Sequence, residues 1–517
     1  MECPRLSPFQ RIVRNLGAIF SGKLISIIQQ IVIPPIFIYR YSLINYGEWI
    51  ALSGAVSILG TLNFGVNTYM NQDLAVRFQR GETQGYHVRQ STALRLLLAV
   101  VLTAAVLFLL FFFIPFDALL KLHISRSAAQ WTLYLLAMQV LFMILFGYLS
   151  GIFMGVAMAH RGANWNNTQA FASSLGLLAG VLLHAPFPVL ASIQLSTLLL
   201  CSLAVLADLR RTAPEVFPGL RFWDGTVVKD ILHGSGYFGL IEVSTFLTYS
   251  APMLLLQRFV GPVAVAAFVL MRTIFSMCRQ ILAMFTQSMG PEITNLFGRS
   301  DWPALGRLYD YSERVIFFLI TLVNLTVLML SPVLITLWVH RKATAGAPVH
   351  HVSDLFTIYP YVLSSAISIV ISLKEHKFQF QFSTNTHIEL AKIMFFSYIA
   401  MVAVSFGTIQ YFGVVGFLWT WLAVETLQTA RLVRLNEKLF AHVEKLDTIY
   451  ITRLASICIV SLFLAFAALT KTSTLPLLAQ AAIATLAALM VGTVAWYLFR
   501  VREVYSTMLG RFSKRFA

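Results

Sequence analysis

Residues 237–289 read YFGLIEVSTFLTYSAPMLLLQRFVGPVAVAAFVLMRTIFSMCRQILAMFTQSM. Two long apolar segments flank the turn Gly261-Pro262, and the second carries Arg272 and Arg279. A cation near the centre of an apolar helix costs about 2.5–3.5 kcal/mol on insertion scales. With a rise of about 1.5 Å per residue, Arg272 lies roughly 15 Å beyond the turn, near mid-bilayer. Arg272 and Arg279 are seven residues apart, which places them on one helix face. Such a face is expected to point into a wet, protein-lined cavity that holds something negative. Arg279 has a second reading, because a long side chain near a helix end can snorkel to the surface. From mid-bilayer that reach is too short, so Arg272 is the residue that asks for a function.

Composition says what surrounds this hairpin. The chain is 58% hydrophobic and 12% charged, with a mean hydropathy of +0.76. A soluble domain carries about 25% charged residues. The fold class is therefore an all-α polytopic membrane protein. The net charge of +16 would suggest nucleic acid in a soluble chain, but here it reports topology and no nucleic-acid partner is expected. Cys3, Cys201, Cys278 and Cys458 are scattered and match neither a disulfide framework nor a metal motif. The basic N-terminus leads into an apolar stretch too long for a signal peptide, so it reads as an uncleaved first helix.

Fourteen apolar segments are long enough to span: 16–38, 48–69, 96–116, 131–158, 167–185, 189–207, 237–259, 263–289, 315–338, 355–373, 391–412, 414–430, 453–470 and 476–499. Tight turns at Pro186-Phe187-Pro188, Gly261-Pro262 and Gly413 make consecutive segments helical hairpins. With the N-terminus inside, 28 of the 38 Lys and Arg fall on the inner side, 7 fall outside, and Lys23, Arg272 and Arg279 remain within helices. That bias sets both termini in the cytoplasm. No loop is long enough for a soluble catalytic domain. The stretch Gly290 to Arg314, with Pro291, Arg299 and Tyr309, reads as an amphipathic connector on the inner surface. Residues 16–81 and 237–299 share a plan: a helix with proline near its outer end, a short turn, a second helix and a polar exit. Repeated halves are a common plan in secondary transporters, with the substrate between them.

Few polar groups lie within the spans. Gly17 to Leu24, GAIFSGKL, nearly spells a phosphate loop but lacks the Ser or Thr for magnesium and follows no strand. What survives is Lys23, which either snorkels or faces the cavity, beside Gly17 and Gly22, which permit close helix packing. Glu242 and Glu425 either bind a coupling H⁺ or Na⁺, neutralise the arginines, or are solvated near the inner interface. Glu48 is expected to begin the second helix, where a negative charge suits the N-terminus. Thr321, Asn324 and Thr326 are expected to bond between helices. His340, His350 and His351 share an outer loop without metal spacing. His376 and His387 flank Phe378 to Phe382, FQFQF, whose alternating aromatics suit lipid headgroups. The Asn166-Asn167-Thr168 sequon lies beside an inner loop and is set aside.

The opening helices carry a resemblance. Tyr46-Gly47 with Trp49, then Leu62-Asn63-Phe64-Gly65, resemble the "YG-x-W … D-x-G" pattern of the polysaccharide-transporter branch of the multidrug/oligosaccharidyl-lipid/polysaccharide exporter superfamily. Asn63 stands where many relatives carry Asp. Tyr411-Phe412-Gly413-Val414-Val415-Gly416 resembles the family's turn between helices eleven and twelve, and Pro291 with the following connector also fits. The resemblance implies two pseudo-symmetric six-helix lobes plus two C-terminal helices. On this chain that gives an N-lobe at 1–207, an inter-lobe linker at 208–236, a C-lobe at 237–430, and helices thirteen and fourteen with a basic tail at 431–517. It implies a flippase rather than an enzyme, one that moves undecaprenyl-diphosphate-linked oligosaccharide across the cytoplasmic membrane by alternating access. No cofactor is expected, and the drive is an H⁺ or Na⁺ gradient or the membrane potential. Arg272 and Lys23 sit in helices that carry cavity cations in the lipid II flippase type, and both are expected to bind the diphosphate. Arg279 joins them from the residue reading, as Glu242 and Glu425 join for ion coupling. Expected partners are the lipid-linked sugar, membrane lipids and the polysaccharide polymerase machinery.

The chemistry agrees. Guanidinium offers a bidentate match to a diphosphate. The sugar needs a wet route while the polyprenyl tail stays in lipid, along a groove beside the last two helices. A multidrug exporter of the same fold is the alternative, although such exporters favour acidic cavities and twelve helices. A membrane oligosaccharide polymerase or ligase needs a large outer loop, which this chain lacks.

Overall fold

The structure, a computed structural model, describes residues 8–79, 81–156, 158–290, 293, 296–297, 300–338, 357–384, 386, 388–440, 449–472 and 475–506. His340, His350, His351, His387, Pro291, Arg299 and the tail after 506 lie outside the described residues. Helices account for most of the described chain, and no strand occurs among those residues.

Ten helices are each long and apolar enough to cross a membrane. Four further crossings come from segments that length and hydropathy do not count singly. Two helices, 159–182 and 358–383, are long enough but more polar. The 52-residue helix Ile388–Leu439 is two helices meeting at Gly413, whose φ of 59° and ψ of −138° are not helical. The second crossing is bent by 43°. Fourteen crossings, as expected, are thus accommodated.

Packing divides the chain into two compact units at Ala266/Ala267. The first holds α1 (Pro8–Arg40), α2 (Leu43–Val56), α3 (Val66–Gln79), α4 (Thr83–Phe108), α5 (Phe116–Leu120), α6 (Arg126–Gly155), α7 (Ala159–Leu182), α8 (Phe187–Thr212), α9 (Gly225–Tyr249) and α10 (Ala251–Phe259). It also includes the first turn of α11 (Pro262–Ser288). Helix α6 packs on α2, α3, α4, α7 and α8, and α1 lies along α7. There Gly22 permits the approach expected of it, since a methyl group would sit 2.4 Å from Asn167 Oδ1, whereas Gly17 faces open space. Asn167, from the discarded sequon, donates to Ala18 O at 2.7 Å and Ser21 Oγ at 3.1 Å. Helix α9, which the expected boundaries divide between the linker 208–236 and the lobe 237–430, packs on α3 and the turn before it, and α10, expected in that lobe, packs on α2.

Helix α2 starts at Ser42, whose hydroxyl accepts the Asn45 N–H at 3.2 Å. Glu48 is therefore not at the helix start. It is fully buried, accepts the His123 backbone N–H and lies 2.8 Å from His123 Nδ1. After Val56 the chain tightens into a 3₁₀ turn, Ser57–Asn63, and then breaks at Phe64 and Gly65, with φ of 45° and 70°. Glycine suits that break twice over: φ is positive, and a methyl group would sit 2.3 Å from Phe238 Cβ of α9.

The second unit holds the rest of α11, then α12 (Trp302–Trp338), α13 (Ile358–Ser383), α14 (Ile388–Leu439), α15 (Ile449–Thr472) and α16 (Leu477–Leu498). Its apolar core joins Leu282, Phe317, Ile320, Leu373, Leu454 and Phe499, so the last two helices pack on α12 and its neighbours. Three helices overrun their expected limits. Helix α12 starts at Trp302, within the expected surface connector, and buries Tyr309 there. Helix α13 runs to Ser383 rather than 373, and α14 to Leu439 rather than 430. In each overrun, polar side chains find partners inside the protein and the helix need not end at the apolar limit. The FQFQF stretch is helical, with Phe380 in the core and Gln381 Nε2 donating to Asn436 Oδ1 at 2.7 Å, so it is not a headgroup platform. Thr321, Asn324 and Thr326 turn their donors back on carbonyls of their own helix.

Candidate functional site

In the second unit, Arg272, Ser276 and Arg279 share one face of α11, as their spacing requires. With Ser364 and Ser368 of α13 and Trp421 of α14 they line a crevice of about 20 Å³. A water molecule needs roughly 10–15 Å³ measured this way. The crevice therefore has room for water but not for a diphosphate. Ser364 Oγ donates to Met271 Sδ at 3.1 Å, which ties α13 to α11. The Arg272 guanidinium lies 5.7 Å from the Phe268 ring centroid, within cation–π range. Arg279 faces Glu375 of α13 at 3.6 Å, with 16% of its side chain exposed. That ion pair, rather than the membrane surface, receives the Arg279 charge.

Glu375 belongs to a run of four polar residues, 374–377, that follows the expected span 355–373 and so fell in an expected inner loop. Residues 374–377, Lys-Glu-His-Lys, form an interior turn of α13, and helical rotation sends each to a different neighbour. The Lys374 ammonium donates to Glu425 of α14, to Tyr398 Oη at 2.7 Å and to Gln428 Oε1 at 3.0 Å. Lys377 donates to Glu313 of α12 and to Tyr309 Oη at 2.6 Å. The His376 ring meets Ser312 Oγ at 2.9 Å. Lys374, His376 and Lys377 are all buried. Placing Lys374 and Lys377 in an inner loop was thus wrong, because each is neutralised within the unit. Two lysines three apart next to an apolar span, with Glu425 inside another span and Glu313 just before a third, were the available sequence signal.

Glu425 is committed by the same geometry. Its Oε2 accepts from Lys374, and its Oε1 accepts from Tyr398 Oη at 2.7 Å and Trp421 Nε1 at 3.0 Å. It is fully buried, so it is not a solvated interfacial carboxylate. As arranged here it neutralises a lysine rather than the arginines.

In the first unit, Glu242 of α9 reaches the break in the second crossing. Its Oε1 accepts from Asn63 Nδ2 at 3.1 Å, and the backbone N–H of Gly65 also faces its carboxylate. Asn63 Oδ1 accepts the Asn67 N–H at 3.2 Å, so one amide joins the carboxylate to the restart of α3. Beside it lies a cavity of about 300 Å³ lined by Gly60, Asn63, Asn67, Gln139, Val140 and Met143. The sequence reading missed Asn67 and Gln139, because lone amides in apolar helices carry no period or spacing. Lys23 is half-buried on α1, one residue from the Gly22–Asn167 contact, and makes no ion pair among the described residues. The described geometry thus brings Arg272 and Arg279 together, and leaves Lys23 and Glu242 at separate places in the first unit.

No family model matches this sequence, and no curated protein matches it. Solved structures match its fold. An inward-facing multidrug-resistance MATE family transporter of the MOP superfamily superposes with a TM-score of 0.66 at 13% identity, over 84% of this chain and 99% of its own. The lipid II flippase MurJ, in an inward closed conformation, superposes with a TM-score of 0.67 at 11% identity, over 94% of this chain and 99% of its own. A MOP superfamily transporter from Pyrococcus furiosus gives 0.52 at 12% identity, over 85% and 98%. The chain therefore has the fold of MOP superfamily transporters, the all-α polytopic architecture that the opening motifs led us to expect.

Proposed function

We propose that this protein is a flippase for polyprenyl-diphosphate-linked oligosaccharide, working by alternating access in the cytoplasmic membrane with both termini inside. The observation that carries the reading is Arg272, a mid-span guanidinium on a face shared with Arg279 and lined by serines. A lipid-linked diphosphate brings about two negative charges into the bilayer, and a guanidinium meets them with two parallel hydrogen bonds. Lys23, without an ion pair among the described residues, is a further candidate cation, on α1 of the first unit. The likeness to a lipid II flippase over 94% of this chain supports the same reading. The narrow crevice means that diphosphate binding requires α11 and α13 to part. Glu242, held at the break in the second crossing by Asn63 and without an ion pair among the described residues, is the carboxylate best placed to take up a coupling H⁺ or Na⁺. The polymerase that consumes the exported sugar is the natural protein partner.

A multidrug exporter is the second reading. It is supported by an equally good superposition on a MATE transporter, and by Glu242 as an acidic group for a cationic drug. One experiment separates the two. Proteoliposomes are loaded with a fluorescent polyprenyl-diphosphate sugar or with a lipophilic organic cation. Movement of the lipid that fails in Arg272→Ala supports the flippase. Movement of the cation alone, lost in Glu242→Gln, overturns it.

A further inference from the structure

We propose that the cavity between the broken second crossing and α6 is a subsite for the neutral sugar, with Gln139 as its specificity-determining residue. This rests on the flippase reading and adds to it a place where the glycan is recognised. The cavity measures about 300 Å³. That is the lower end of small-molecule pockets, which run from about 300 to 1,000 Å³. It lies near the middle of α6, since Gln139 is thirteen residues from Arg126 and sixteen from Gly155.

The lining selects the ligand chemistry. Three carboxamides, Asn63, Asn67 and Gln139, line the cavity together with Gly60, Val140, Met143 and Ile144, and among the described residues no charged side chain lines it. Acyl chains would leave Gln139 and the Asn67 Oδ1 without partners, a cost of some kcal/mol for each. An anion finds no cation here, and a cation finds no carboxylate on the wall. A ligand rich in hydroxyls fits both halves of the lining. Hydroxyls exchange hydrogen bonds with carboxamides, and the C–H faces of a pyranose ring rest on Val140 and Met143.

The amides differ in what they have left to offer. Asn63 donates to Glu242 and accepts from the Asn67 N–H, so it is occupied at both ends. Asn67 Nδ2 donates to Ile144 O at 2.9 Å, and its Oδ1 is buried without a partner. Gln139 makes no hydrogen bond among the described residues, so it keeps two N–H donors and a carbonyl acceptor for a ligand. Gly60, Asn63 and Asn67, three and then four residues apart, fall along one wall opposite α6.

The test measures binding to purified protein in nanodiscs with two probes, a bare polyprenyl diphosphate and the same lipid carrying an oligosaccharide. Wild type is expected to bind the sugar-bearing lipid more tightly. Gln139→Leu is expected to lose about tenfold in affinity for it, the size of one lost polar contact, and to bind the bare lipid unchanged. Met143→Trp, which fills the cavity without touching an amide, should erase the same preference if both variants melt with wild type. A preference kept by both variants, or no preference in wild type, overturns the subsite while the flippase reading stands. Failure of wild type to bind either lipid overturns the flippase reading itself.

Discussion

The second helices of the two proline-bearing hairpins began as one pattern, offset by about 217 residues in the sequence. They end as opposites. The crossing built from α2 and α3 is broken over 57–65, and an amide at the break, Asn63, is tied to a carboxylate of α9. Helix α11 is unbroken, and two arginines and a serine share one of its faces. The difference teaches that a repeated plan fixes where a helix turns, while the side chains decide whether it stays regular. Arginine reaches polar surroundings from a regular helix through a long side chain. Asparagine is short, and its amide serves only a wall that its own helix already borders.

This contrast can be broken in four places. The largest expected effect is Arg272→Ala, which should lower lipid-linked sugar transport at least about tenfold, with melting unchanged. Arg272→Lys should keep part of the activity, since one charge remains without the bidentate geometry. Transport at wild-type rate in the Ala variant would remove the guanidinium from the mechanism. Next comes Lys374→Ala, which strands Glu425 as a buried charge and should destabilise the protein by about 3–5 kcal/mol. Replacing both partners, Lys374→Met with Glu425→Leu, should recover most of the melting temperature. A double variant as unstable as the single one would show that this ion pair has another role. Third, Gly65→Ala forces a side chain into positive φ and into Phe238. A loss of about 1–3 kcal/mol is expected, read as a lower melting temperature. The equivalent test on α11, Ala267→Gly, should cost only about 1 kcal/mol, because that helix has no break to preserve. The smallest effect on stability is Glu242→Gln, within about 1 kcal/mol, since the amide oxygen still accepts the Asn63 bond. Its signature should be transport that no longer responds to an imposed ion gradient. A response as large as in wild type would move coupling elsewhere.

Much of this was legible beforehand. Apolar runs, tight turns and the asymmetry of Lys and Arg sufficed for fourteen crossings, because lipid leaves the backbone few choices. The Arg272 and Arg279 face followed from spacing alone. The helix ends did not. Lys374, Lys377 and Glu313 look like loop residues until their partners are known, and those partners are 51 to 64 residues away in sequence. The break at Phe64-Gly65 was hidden for another reason. Gly65 sits there against Phe238 and Gly239 of α9, a tertiary contact that no local propensity records.

The charged turn of α13 has a consequence for how the chain is made. Lys377 meets a carboxylate synthesised earlier, Glu313, whereas Lys374 must wait for Glu425 to leave the ribosome. Each lysine exposed to lipid opposes membrane insertion by up to about 3 kcal/mol. A nascent chain halted between residues 377 and 425 therefore holds an unmatched ammonium at the translocon. Ribosome stalling in that window should leave α13 poorly integrated and open to membrane proteases, and passage beyond Glu425 should seal it.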